Sequence, residues 1–206
     1  AQAYNAANIT PTVRNAVKMT KGLVLTYKNR YVKGWYSASC GGRTALAKEG
    51  LAYKGPEPPY MRSVKCPEEK RIPEDELYWK ATLSSSEINE ALKKLNKPDL
   101  GNIKAMEVAK RSKSQRATII KFTGAKGSAE VSGGDFRINV GPEKLRSIWI
   151  SDEIKHESGK ITVKGRGFGH GVGLCQWGSY TLAKQNKSPK AIVKHYYPKA
   201  EVSKIW

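Results

Sequence analysis

The chain has 206 residues, with 37 Lys or Arg against 18 Asp or Glu, which gives a formal net charge of +19. This length suits one large domain, or a main domain with an insertion, and can bury a real core. A run of about 18 apolar residues, which a membrane span needs, is missing. No signal peptide opens the chain, so we expect any export signal or membrane anchor to lie upstream of residue 1.

The positive charge favours an anionic or polar polymer as a partner. The basic residues are spread along the whole chain, and no helix-turn-helix, zinc-finger or ribonucleoprotein pattern is present. Nucleic acid is therefore not expected as a partner. A solvated basic surface is the alternative explanation of the charge.

The first elements in chain order are a short helix and a hairpin. Thr10 followed by Pro11 is typical of a helix N-terminus and predicts a short amphipathic helix. Residues 23–27 and 31–37 read as strands, and Asn29 between them can adopt a left-handed turn conformation, so the sequence predicts a β-hairpin. The proline-rich, charged stretch 47–78 predicts an irregular surface segment.

The rest of the chain alternates between helix and strand signals. Ser84 and Glu87 form a capping box that predicts a helix ending before Asn96. Further elements follow from alternation, turn residues and caps: strands around 107–109, 117–122 and 128–132, a turn at 133–134, a hairpin of 147–151 and 160–164 with His156 in its turn, and helices at 176–184 and after Ser188.

The segment from Gly165 to Gly178 contains six glycines around His170, Gln176 and Trp177. Glycine lets the main chain approach a ligand or a second segment closely, and the imidazole, carboxamide and indole remain for directional contacts. The pattern therefore indicates a site or its floor. A purely structural bend, with His170 bonding locally, is the alternative.

This segment, followed by residues 192–198, resembles the C-terminal signature of the stage II sporulation protein D (SpoIID/LytB) family. The match continues upstream, in the order that the family shows, through residues 20–27, 36–43, 59–64 and 136–137. The resemblance, with the predicted elements, implies an α+β fold with a mostly antiparallel curved sheet, short flanking helices and a small inserted subdomain at about 80–135.

The resemblance implies a bacterial cell-wall protein of the cell envelope, and in the best-known members a lytic transglycosylase. There a glutamic acid protonates the glycosidic oxygen and the sugar's own C6 hydroxyl closes the ring, leaving 1,6-anhydro muramic acid ends. The segment carrying that glutamate is not found here, and Ala1–Tyr4 resemble a stretch that follows it. We therefore expect residues 1–206 to be a SpoIID-like domain without its N-terminal catalytic helix, with the acid upstream and the fragment inactive alone.

A noncatalytic module that binds glycan or modifies a cell-wall amidase is the alternative function. Glu49, Glu57 and Asp135 lie near recognisable motifs, but we interpret them as surface carboxylates. The expected partners are peptidoglycan glycan strands and, in the alternative, an amidase. Aromatic, amide, hydroxyl and guanidinium groups suit sugars and the lactyl carboxylate of muramic acid. On that chemistry the candidate substrate-binding residues are His170, Gln176, Trp177, Ser39, Arg43 and Arg62.

Three cysteines, Cys40, Cys66 and Cys175, form an odd set without CxxC spacing, which argues against a disulfide scaffold. Some family members bind zinc through a His-Cys pair that is missing here. A zinc site would then need Cys40, Cys66 and His170, which is too few ligands for the usual tetrahedral site. We therefore expect buried free thiols and no cofactor, with zinc as the alternative.

Overall fold

The structure is a computed structural model that describes residue 7 and residues 9–206. The described part consists of short helices and mostly antiparallel strands in four small sheets. This confirms the predicted α+β class. The chain divides into two compact units, residues 1–33 with 200–206, and residues 34–199. Ala1–Tyr4, on which part of the resemblance rests, lie outside the described residues.

The first unit contains the predicted N-terminal helix and hairpin. Helix α1 (Pro11–Met19) has proline in its first turn, and the Thr10 hydroxyl accepts a hydrogen bond from the Val13 amide at 3.3 Å. Strands β1 (Leu23–Tyr27) and β2 (Arg30–Tyr31) pair antiparallel. The turn between them has φ of 49° and 58° at residues 28 and 29, as predicted for Asn29. The C-terminal strand β11 (Glu201–Lys204) pairs antiparallel with β1.

The single strand predicted over residues 31–37 is wrong, because the structure has two short strands there. Strand β2 ends at Tyr31, and a separate strand β3 (Tyr36–Ser37) pairs in parallel with β10 (Leu174–Cys175) in the second unit. The partner of β3 lies far away in the sequence, so local alternation could not separate the two strands. The pairing brings the Ser-Cys-Gly-Gly loop beside the glycine-rich segment.

The stretch 47–78 is largely irregular, as predicted. Its regular parts are single turns: α2 (Ala47–Gly50), a 3-10 helix (Pro67–Lys70) and α3 (Glu74–Leu77). Clusters of proline and charged residues do not support longer elements. The 3-10 helix matters for the site because it carries a buried glutamate.

Two three-stranded antiparallel sheets hold the main core of the second unit. One has the order β4 (Tyr78–Ser84), β9 (Lys160–Arg166), β8 (Ile150–Glu157), and the other runs β5 (Ile103–Arg111), β6 (Ala117–Gly124), β7 (Gly127–Ser132). Alternate residues of β4 point inward and are buried: Trp79, Ala81 and Leu83. Residues of both sheets belong to one hydrophobic cluster. The inserted subdomain at about 80–135 stays a prediction.

Helix α4 (Ser85–Lys94) packs against this core and begins at the capping box that the sequence predicts. In this capping box the Ser84 side chain accepts from the Glu87 amide and the Glu87 carboxylate accepts from the Ser84 amide. In the part of the chain that is described, no helix combines the length and the apolar character needed to cross a membrane.

Two local predictions are corrected by long-range contacts. Gly133–Gly134 do not form a turn but begin helix α5 (Gly133–Val140), and a side chain at Gly133 would overlap the carbonyl oxygen of Ala117. Glycine is needed there for close approach. His156 does not lie in a turn but in strand β8, where its Nε2 accepts from the Met106 amide at 3.1 Å.

The C-terminal helices lie where the sequence predicts them. Helix α6 (Gln176–Lys184) follows the glycine-rich segment directly. In α7 (Pro189–Tyr196) the Ser188 hydroxyl accepts from the Ala191 amide, and Ile192 and Tyr196 are buried. Helices α6 and α7 contact each other within the second unit.

Candidate functional site

The glycine-rich segment is a tightly packed loop against which other segments lie. Gly171 and Gly173 have φ of 68° and 75°, in the left-handed region that favours glycine. A side chain at Gly171 would overlap the Arg116 guanidinium, and one at Gly173 would overlap the carbonyl oxygen of Trp35. Close backbone packing inside the protein therefore explains these glycines.

His170 lies in this loop and is bonded locally. Its Nδ1 accepts from the Val172 amide at 3.0 Å. Burial and the nearby positive charges of Arg137 and Arg116 lower the pKa of His170 to about 4. A hydrogen bond with the Tyr36 backbone acts in the opposite direction and raises the pKa. The imidazole is neutral at pH 7, and its contacts match the structural alternative given above for this residue.

An open groove of about 450 Å³ lies beside the start of α6 and is lined by Ala38, Arg71, Gln176, Trp177 and Tyr180. The Trp177 amide donates to the Ala38 carbonyl at 3.2 Å, which joins the two walls. The Trp177 and Tyr180 rings meet edge to face, with centroids 5.8 Å apart. Two aromatic faces, a guanidinium and a carboxamide thus border one groove.

This set of groups suits a polar ligand with flat apolar faces. An aromatic ring can stack on such a face, while a carboxamide donates and accepts hydrogen bonds. A guanidinium binds a carboxylate through two parallel hydrogen bonds. Tyr180 is 46% exposed, so its ring is available to a ligand.

The structure brings two of the six candidate binding residues, Gln176 and Trp177, to this groove. Ser39 is only 1% exposed, and its hydroxyl accepts from the Gly41 amide, so it holds the loop rather than facing a ligand. Arg43 and Arg62 do not line the groove.

The sequence reasoning missed Tyr180 and Arg71 as groove residues. Tyr180 lies three residues after Trp177 in α6, and this spacing places both on one helix face. That signal was available in the sequence. Arg71 follows the 3-10 helix in a charged, irregular segment, where nothing in the sequence distinguishes it from other surface arginines.

A buried cluster consists of Cys40, Cys66, Glu68 and Cys175, three of which lie within three residues of a groove residue in the sequence. One ligand atom from each of the four lies within 4.8 Å of the others. All three cysteines are free thiols. The structure thus unites Cys40 and Cys66, as the zinc alternative required, but the other members are Cys175 and Glu68 rather than His170.

Glu68 organises the cluster from a fully buried position, with 0% of the residue exposed. Its Oε1 accepts from the Gly42 amide at 2.5 Å, and its Oε2 accepts from the Cys40 amide at 3.1 Å. The Cys175 thiol donates to the same Oε2 at 2.8 Å. One carboxylate therefore ties the Ser-Cys-Gly-Gly loop to the start of α6.

Arg116 supplies a buried positive charge beside the cluster. It is 1% exposed and donates to the carbonyl oxygens of Cys40 at 2.7 Å and Arg43 at 3.0 Å. Burial lowers the pKa of Arg116, while the charges of Cys40, Glu49 and Glu68 oppose that shift. A guanidinium keeps its proton at neutral pH even so.

The three thiols differ in acidity because they lie in different hydrogen-bonding positions. Burial raises the pKa of Cys40 and of Cys175. Hydrogen bonds from Cys175 and then Cys40 lower the pKa of Cys66 well below its usual range. The Cys66 sulfur also lies 3.2 Å from the Tyr196 hydroxyl. The cluster therefore favours one thiolate, on Cys66.

Comparison with known proteins identifies relatives of this chain. Residues 67–173 match a family described as a domain of unknown function (DUF8618). The chain belongs to this family. It is also 34% identical over 191 residues to stage II sporulation protein D of Bacillus amyloliquefaciens, covering 93% of this chain and 51% of that protein. The suspected resemblance to the SpoIID family is thereby confirmed.

Two further relatives extend the comparison. Stage II sporulation protein D of Bacillus subtilis is 30% identical over 93% of this chain and 51% of its own length. The amidase enhancer of Bacillus subtilis is 23% identical over 96% of this chain and 33% of its own length. The chain thus spans about half the length of the sporulation relatives.

Proposed function

We propose that this chain binds peptidoglycan glycan strands in the groove formed by Ala38, Arg71, Gln176, Trp177 and Tyr180. The observation that carries the proposal is the pair of aromatic rings beside a guanidinium and a carboxamide in one open groove. Trp177 and Tyr180 would stack on pyranose faces, and Arg71 would bind the lactyl carboxylate of muramic acid. The names of the sporulation relatives support a role in sporulation, and the likeness to an amidase enhancer supports a connection with the cell wall.

In this proposal the chain is the glycan-holding part of a lytic transglycosylase that forms 1,6-anhydro muramic acid ends outside the cytoplasm. Glu49 and Glu57 are not its catalytic acid. The arrangement of the local carboxylates supports this: Glu57 accepts from the amides of Ala47 and Lys48 at 2.7 and 3.0 Å, and Glu49 accepts from Leu46 and Ser114. Both carboxylates hold backbone or side chains in place.

A second candidate is a noncatalytic module that binds glycan and modifies a cell-wall amidase. The likeness to an amidase enhancer, which extends over 96% of this chain, favours it. Both candidates use the same groove, and they differ in whether the complete protein cleaves the strand.

Glycan binding is tested by cosedimentation with purified strands from which teichoic acids and stem peptides have been removed. At about 0.15 M salt we expect the chain to stay with the strands, even with excess duplex DNA as a competitor. Loss of binding when the teichoic acids are removed would overturn the proposal, because it would reduce the interaction to charge attraction.

Cleavage is tested by digesting the same strands with this chain and with the full-length protein in parallel, and by mass spectrometry of the products. Anhydro ends from the full-length protein alone would support the transglycosylase. Anhydro ends from neither would favour the amidase-modifying module. Anhydro ends from the chain itself would show that the acid lies within residues 1–206.

A further inference from the structure

We propose that Cys40, Cys66 and Cys175 bind one Zn²⁺ ion, with Glu68 as the fourth ligand. The four residues come from three separate segments of the chain and are all buried, with ligand atoms within 4.8 Å of one another. Cysteine thiolates and glutamate carboxylates are both zinc ligands, and four protein ligands match the tetrahedral coordination of structural zinc sites. The site does not depend on whether the groove binds glycan.

The distances suit a tetrahedral ion. Zinc–sulfur bonds of about 2.3 Å with tetrahedral angles place the sulfurs about 3.8 Å apart. The observed spread of up to 4.8 Å is therefore slightly wider than a filled site. In a filled site the widest of these distances would shorten by about 1 Å.

Glu68 can become a ligand without losing its structural role. Its Oε2 now accepts the Cys175 thiol proton at 2.8 Å, while its Oε1 accepts from the Gly42 amide at 2.5 Å. Binding of zinc releases the thiol protons to solvent, because thiolates are the ligands. Oε2 then loses the Cys175 donor and turns to the cation, and Oε1 keeps its bond to Gly42.

The charge balance also favours a cation. In the zinc-bound form, three thiolates and one carboxylate in a buried space need compensation. A divalent ion supplies half of it, and the Arg116 guanidinium, which bonds the Cys40 carbonyl at 2.7 Å, contributes next to the cluster. Soft thiolate ligands select zinc over magnesium or calcium.

A filled site would connect the segments that line the groove. Cys40 lies two residues after Ala38, Glu68 lies three residues before Arg71, and Cys175 directly precedes Gln176. One ion would therefore hold together the three segments that line the groove. With four protein ligands the site is closed, which is typical of a structural metal rather than a catalytic one.

The test is the metal content of the chain purified without chelators, measured by inductively coupled plasma mass spectrometry. We expect about one zinc per chain, replaceable by Co²⁺ with a thiolate-to-cobalt charge-transfer band in the near ultraviolet. Cys66→Ser and Glu68→Gln should each weaken metal affinity about tenfold or more. Glu74→Gln, an exposed carboxylate in α3, is the matched control and should bind as the wild type does.

Several outcomes would overturn the site. Wild-type protein that holds no zinc and gives no charge-transfer band on titration with Co²⁺ contradicts it, whether or not Cys66→Ser folds. An intact mass two hydrogens lower than that of the fully reduced chain would show a disulfide instead. Unchanged affinity in Glu68→Gln would remove Glu68 from the ligand set.

Discussion

Arg116 is a buried arginine that connects several loop segments around the site through hydrogen bonds. Its guanidinium donates to the carbonyl oxygens of Cys40, Arg43 and Ser114. Lysine cannot reproduce this planar fork, so Arg116→Lys should lower the free energy of unfolding by about 3 kcal/mol. Urea titration followed by circular dichroism measures the change. The exposed Arg62→Lys should change stability by less than about 0.5 kcal/mol, and equal losses in both would contradict this role.

His170 should make stability depend on pH below neutrality. Its folded pKa of about 4 lies below the unfolded value of about 6.5, so the unfolded chain binds the extra proton first. The contribution is present above pH 6.5 and is lost as the pH falls toward 4. Urea unfolding between pH 7 and pH 5 should show a flatter profile for His170→Gln than for wild type. A profile as steep in His170→Gln as in wild type would contradict the assignment.

Individual residues were predictable where a motif marked them. Gln176 and Trp177 lie near the end of a glycine-rich segment, and both line the groove. Glu68 lies in a charged run that resembles a solvated surface, and Arg116 has no motif. Both are buried because loops distant in sequence fold over them, so local composition could not reveal their partners.

At the scale of elements, helix α6 depends on a glycine that helix propensity disfavours. A side chain at Gly178 would overlap the Cys66 sulfur and the Tyr196 hydroxyl. Gly178→Ala should therefore destabilise the protein by about 1–3 kcal/mol, although alanine is the better helix former. Thermal unfolding measures this. Gly34→Ala, where nothing lies within 4 Å of the added carbon, is the control and should change stability little.

The capping box of α4 should account for much of that helix's N-terminal stability. The Ser84 hydroxyl accepts from the Glu87 amide at 3.3 Å. Ser84→Ala should cost about 1 kcal/mol of unfolding free energy. Ser86→Ala, an exposed change within the same helix, should have a smaller effect in the same urea titration. A larger loss at Ser86 than at Ser84 would contradict the capping role.

Elements were predictable where local signals determine them. Caps and periodicity predict the starts of α1, α4, α6 and α7, because capping is a contact between neighbours in sequence. Strand β3 and helix α5 were not predicted. Strand β3 is defined by a parallel partner 138 residues away, since Tyr36 pairs with Leu174. In helix α5, close approach to the Ala117 carbonyl explains Gly133.

At the scale of the whole molecule, the charge of +19 should add a salt-sensitive attraction to anionic wall polymers. Retention on walls that carry teichoic acid should fall as salt rises. Retention on stripped glycan strands should fall less, because stacking in the groove is not screened by salt. Cosedimentation across a salt series compares the two. Equal salt dependence would contradict a groove-specific component.

Titration of a defined glycan oligosaccharide into three proteins tests most directly whether the groove at Trp177 binds glycan. The three proteins are the wild type, Trp177→Ala and Trp206→Ala. Trp177 is half-buried, and Trp206, which is 69% exposed and belongs to the first unit, serves as the control. We expect Kd to rise about tenfold, or about 1.4 kcal/mol, for Trp177→Ala and to stay unchanged for Trp206→Ala. Unchanged affinity in Trp177→Ala, with the fold intact, would contradict glycan binding in this groove.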